Sequence, residues 1–160
     1  MRRIVPQLGL VLVFLVTTAL CGNAADKEKL ENSIMGWISA VNERDYVGCL
    51  SYIAPHRTLS GKGLTRMVRG GEEFFFFSGD ILLPLRSYTI NTIDFFNKGN
   101  QSKVVINAQV IYQRKTIPME GKGNVEDKAM TFPATITQQW IRLQGKWYIM
   151  SQLRLQYLGS

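Results

Sequence analysis

The sequence predicts an α+β domain in which helices come first and an antiparallel meander of about four strands follows. Three observations carry this. Apolar residues recur at helical spacing as far as about residue 54, and at a period of two after residue 86. Short Gly- and Asn-containing breaks divide the later part into hairpins. Helices that precede the strands, rather than alternate with them, are left to cover one face of the sheet. The chain has 160 residues, 46% hydrophobic and 19% charged, which fits one folded domain and is too short for a two-domain Rossmann enzyme or a (β/α)₈ barrel.

Residues 1–24 read as a secretory signal rather than as part of the fold. Arg2 and Arg3 form a basic start, and Leu8 to Leu20 is an uncharged apolar run of 13 residues. A membrane span needs about 20. Gly22-Asn23-Ala24-Ala25 supplies small residues and places cleavage after Ala24. Two alternatives are an uncleaved anchor and a lipoprotein through Cys21, whose preceding Leu20 is a poor match to the small residue lipidation needs. The mature domain is then 25–160, and its expected place is the periplasm or the medium.

Loss of Arg2 and Arg3 lowers the formal charge from +7 to +5. No run of Lys or Arg exceeds two, so no nucleic-acid partner is expected. Membrane contact is expected only if the N-terminal segment is uncleaved or lipidated. Cys49 alone survives cleavage, which leaves no internal disulfide. Its apolar neighbours at helical spacing make it a small buried hydrophobe.

Residues 26–42 suit an amphipathic helix, with Leu30, Ile34, Trp37, Ile38 and Val41 on one stripe and acidic residues near the start. Asp45 can cap a second helix that runs to about Ala54, with Tyr46, Cys49, Leu50 and Ile53 inward and Pro55 beyond it. Residues 56–63 read as loop. Leu64 to Arg69 reads as a short third helix with Leu64, Met67 and Val68 inward. The four phenylalanines from Phe74 to Phe77 have no clear period and fit helix or strand. Strands are expected over 87–96, 103–113, 134–143 and 147–157, with 116–130 as loop or frayed hairpin.

The alternation on the last strand puts Trp147, Ile149, Leu153 and Leu155 on one face, assigned to the helices, and Tyr148, Met150, Gln152 and Arg154 on the other. With Trp140 and Arg142 placed on that second face, Trp140, Arg142, Tyr148 and Arg154 form an apolar and basic surface suited to a homodimer.

Two stretches carry a family resemblance. Trp37, then Arg44-Asp45-Tyr46, leads into Leu50-Ser51-Tyr52-Ile53-Ala54-Pro55; the close is Trp140-Ile141-Arg142-Leu143-Gln144-Gly145-Lys146-Trp147-Tyr148-Ile149. Together they resemble the opening helices and the "strand, Gly-Lys-Trp, strand" ending of the nuclear-transport-factor-2-like superfamily, with its SnoaL-like and ketosteroid-isomerase-like domains. The resemblance spans nearly all of residues 26–157. It implies a curved sheet wrapped around helices into a cone with a pocket. It does not fix a function, since isomerases, dehydratases, binding proteins and interaction modules share that fold.

Enzymes of this type use pocket Asp, Tyr or His groups tuned by an apolar setting. Asp94, between Ile93 and Phe95, and His56, the single histidine, are the candidate catalytic residues. Their ordinary readings are a solvated edge-strand carboxylate and a solvated loop imidazole. One His and one mature-chain Cys give no zinc set, and neither Ser60-Gly61-Lys62-Gly63 nor Gly121-Lys122-Gly123 has phosphate-loop spacing. No cofactor or metal is expected. Asn100-Gln101-Ser102 is a formal glycosylation sequon. For a ligand, Trp37, Tyr46, Tyr52, Phe75, Phe95 and Gln139 are the expected pocket lining; a completely filled core is the competing outcome. The sequence therefore predicts an exported, non-catalytic domain that binds a small apolar ligand or a protein partner. An isomerase/dehydratase-type enzyme and a structural subunit of an envelope assembly are the alternatives.

Overall fold

A computed structural model describes residues 8–59, 63–69, 71–113 and 129–157, with side chains of 8–23, 58–59, 113 and 153–157 excepted. The basic start at Arg2 and Arg3, and most of the expected 116–130 loop, lie outside the described residues. The order is α1 (Leu8–Asn42), α2 (Tyr46–Ser51), α3 (Pro55–Leu59), β1 (Thr65–Arg69), β2 (Glu72–Phe77), β3 (Asp80–Ile81), β4 (Leu85–Phe96), β5 (Gln101–Gln113), β6 (Ala129–Leu143) and β7 (Lys146–Tyr157). This is the α+β arrangement, helices against curved antiparallel sheet, that the sequence predicts.

The main sheet runs β4-β5-β6-β7, all antiparallel, with α1 against its inner face. The predicted α1 stripe is the buried one: Leu30, Ile34, Trp37, Ile38 and Val41 are all 7% exposed or less. They meet Val104, Ile106 and Val110 of β5, whose alternation fits a half-buried strand. Helix α1 is longer than predicted, since it begins at Leu8.

Asp45 caps α2 as expected, accepting from the Gly48 N–H at 3.0 Å. The helix stops at Ser51 rather than Ala54. The sheet recruits the next backbone groups: the Ile149 N–H donates to Tyr52 O at 2.7 Å, and the Ala54 N–H donates to Ile149 O at 3.0 Å. Residues 56–59, expected as loop, belong to α3.

The third helix expected over Leu64–Arg69 is instead β1, paired with β2 in a separate sheet ordered β1-β2-β3. Leu64 is buried, but Met67 and Val68 are exposed. Pairing with the phenylalanine strand decides this, as Met67 lies opposite Phe74 and Arg66 opposite Phe75. The phenylalanine run alternates as a strand does: Phe75 and Phe77 are buried, Phe74 and Phe76 half-buried. Ser78-Gly79 and Gln144-Gly145 both carry positive φ and close two-residue turns between paired strands.

The face assignment of the last two strands needs correction. The two-residue turn at Gln144-Gly145 pairs Arg142 with Trp147 and Trp140 with Ile149. Directly opposed residues share a face, so Trp140, at 0% exposure, points inward with Trp147 and Ile149. A register shift at Gln139/Trp140 then brings Gln138 opposite Gln152, and both are buried. Gln152 therefore lies inside, not outside.

Candidate functional site

Between α1 and the inner sheet face lies a cavity of about 30 Å³. Trp37, Ile38 and Val41 of α1 form one wall. Ile106, Val110 and Ile136 of the sheet form another, and Ile81, Leu82, Leu83 and Leu85 close the mouth. Two polar side chains complete the lining, Gln138 and Gln152. They are 2% and 7% exposed and sit opposite one another across β6 and β7. No carboxylate, imidazole, phenol or cation is among these lining residues.

The local chain path explains the mouth. Asn42, at the end of α1, clamps the start of β4: its Nδ2 donates to Leu85 O at 3.1 Å, and its Oδ1 accepts from the Leu85 N–H at 2.7 Å. The stretch from β3 to β4 is thereby drawn across α1. Leu82 and Leu83 lie outside any strand and are half-buried. Two backbone bonds hold this stretch, Leu82 N–H to Phe75 O and Ile111 N–H to Pro84 O.

One of the amides has a fixed orientation. Trp140 Nε1 donates to Gln138 Oε1 at 3.2 Å. An indole N–H can only donate, so the oxygen of Gln138 must face Trp140 and its Nε2 must face away. Among the described residues nothing takes up the Nε2 hydrogens.

The predicted ligand residues divide. Trp37 lines the cavity. Phe75 is buried beside Tyr46, with ring centroids 5.4 Å apart, and the Tyr46 hydroxyl donates to Leu64 O. Tyr52 is half-buried beside Lys146. Phe95 packs on Trp147 at 5.8 Å and borders an open groove with Lys27 and Glu31. Gln139 faces the outer side, where its Oε1 accepts from Ser151 Oγ at 3.3 Å. The polar pocket residue is its neighbour Gln138, and the outward placement follows from the corrected register. Gln138, Gln152, Leu82 and Leu83 are not singled out by the sequence. The signal that finds Gln138 is the two-residue turn, which puts Trp140 and hence Gln138 on the Trp147 face.

The candidate catalytic residues stand apart from the cavity. Asp94 is exposed on β4, an edge strand, opposite Lys103. His56 is exposed on α3. Of the expected interface residues, Trp140 is buried. Arg142 turns to the helix side, where it pairs with Asp26, donates to Asn100 Oδ1 and lies 5.8 Å over the Trp147 ring. Tyr148 is half-buried on the outer face. Arg154 lies opposite Thr137 in the register, and its side chain is outside the described ones. Cys49 is the buried residue of α2, and burial, reinforced by the charge of Asp45, pushes its thiol up to about 12. No group of three or more potential metal ligands occurs among the described residues.

No protein-family model matches the sequence, and no curated protein does. Among solved structures, the chain is similar to one described as a "putative dehydratase from the NTF2-like family" of Streptomyces avermitilis. The two share 12% identity over 81% of this chain and 94% of that one, with a TM-score of 0.49.

Proposed function

We propose that the chain is an exported, non-catalytic domain that binds a small, mainly apolar ligand in the cavity between α1 and the sheet. The observation that carries this reading is the lining itself: apolar walls with two buried carboxamides and no titratable group. Sites for small molecules have this composition, with few polar groups that fix orientation. A general acid or base needs a titratable side chain within reach of the reacting atom. Asp94 and His56, exposed outside the lining, do not supply one there.

The volume sets a condition. About 30 Å³ is the space of a buried water, whereas a cavity that takes benzene measures about 150 Å³. Binding therefore includes displacement of Leu82 and Leu83 from the mouth. These are the lining residues outside any helix or strand, so they are the ones that move. Native mass spectrometry of the protein from an exported fraction tests the reading. The expected spectrum carries an adduct that denaturation removes. A bare polypeptide mass, together with no thermal shift from any small apolar probe, would overturn it.

The continuity of α1 from Leu8 to Asn42 favours a second reading of the N-terminus, a domain tethered by an uncleaved segment as a subunit of an envelope assembly. The same spectrum decides between them. A chain that starts at Ala25 supports export with cleavage, and one that retains residues 1–24 supports the tether.

A further inference from the structure

We infer that the cavity selects a neutral ligand bearing a carbonyl-type oxygen — a ketone, ester or amide — which accepts hydrogen bonds from Gln138 Nε2. The inference rests on the ligand-binding reading above and names the class of ligand. It follows from the locked amide. Trp140 Nε1 holds Gln138 Oε1 at 3.2 Å, so the end of the amide turned away from Trp140 is Nε2, with two hydrogens to donate. Gln138 is 2% exposed and lines the cavity, so the cavity is the space in which that end of the amide meets a partner.

Each competing class meets a physical cost. A hydrocarbon would leave the Nε2 donors desolvated and unpaired. An ionised carboxylate would be buried without a cation, since the lining holds none. An ammonium would be buried without an anion, since the lining holds none. A neutral carbonyl oxygen has two lone pairs and no charge, and it suits two N–H groups within an apolar wall. Gln152, opposite Gln138 and 7% exposed, has no such lock among the described residues. Its amide is able to turn either end to the ligand, so it tolerates variation where Gln138 does not.

Three six-carbon probes test this on the full-length protein: cyclohexanone, cyclohexane and cyclopentanecarboxylate, titrated at pH 7 with the Trp indole and Gln amide resonances as readout. The expected result is cyclohexanone binding about tenfold tighter than either other probe, the scale of one hydrogen bond, with the Trp140 indole signal shifting. Gln138→Met should abolish the ketone's advantage over cyclohexane. Equal affinity for ketone and hydrocarbon in the native protein, or a preference for the carboxylate, would overturn the carbonyl assignment while the cavity reading stands. If no probe binds, both fail. The comparison within the native protein keeps the test decisive even if the variant does not fold.

Discussion

Ser102 sits fully buried on the inner face of β5, and its Oγ has no hydrogen-bond partner among the described residues. An unsatisfied buried hydroxyl costs about 1–3 kcal/mol. Ser102→Ala is accordingly expected to raise stability by about 1 kcal/mol in urea unfolding; a fall would reveal an acceptor that the hydroxyl uses. Cys49 gives a prediction in pH. Burial, then the charge of Asp45, raises its folded pKa from 9.0 to about 12. Above pH 9 the unfolded chain releases the thiol proton while the folded chain keeps it. The unfolded state then binds fewer protons, so stability is complete below pH 9 and falls between 9 and about 12. Cys49→Ala should show a shallower alkaline loss than the native protein, and identical profiles would contradict the assignment. At this scale the sequence is readable where one element decides. Trp37 and Cys49 are buried because their own helices carry an apolar stripe. The inward turn of Trp140 and the placement of Gln138 at the cavity are not readable from their strand alone, because facing is a property of a pair of strands.

The closing hairpin illustrates the element scale. Its strands are legible from their alternation, and its turn from Gln144-Gly145. Residue Gln144 adopts φ 51°, a region that costs a non-glycine residue about 1–2 kcal/mol and that Asn tolerates better. Gln144→Asn should therefore stabilise the fold by up to about 1 kcal/mol, read as a higher melting temperature. An unchanged or lower value would mean that the Gln side chain holds the turn by some contact of its own. The register shifts near Gln138 are not legible, since no Gly or Pro marks them in the Gln138–Ile141 or Ile149–Gln152 segments. The helix expected at Leu64–Arg69 gives way to strand β1 for a related reason. Leu64, Met67 and Val68 fall at helical spacing, but five residues are too few for a lone helix, and pairing with β2 overrides the period.

For the molecule as a whole, the order of helices and strands was enough to predict an α+β fold, because it limits which faces can be covered. Cavity dimensions were beyond the sequence. They depend on side chains from α1, the β3–β4 connection and five strands at once, and the connection has no periodic pattern. One crystal structure of the full-length protein grown with cyclohexanone tests the central claim most directly. The account predicts the ketone between α1 and the sheet, its oxygen within hydrogen-bond distance of Gln138 Nε2, and Leu82 and Leu83 displaced. A structure at saturating ketone with Leu82 and Leu83 in place, and an ordered water between Gln138 and Gln152, would contradict it: the core would then be filled, and the two amides would serve the fold alone.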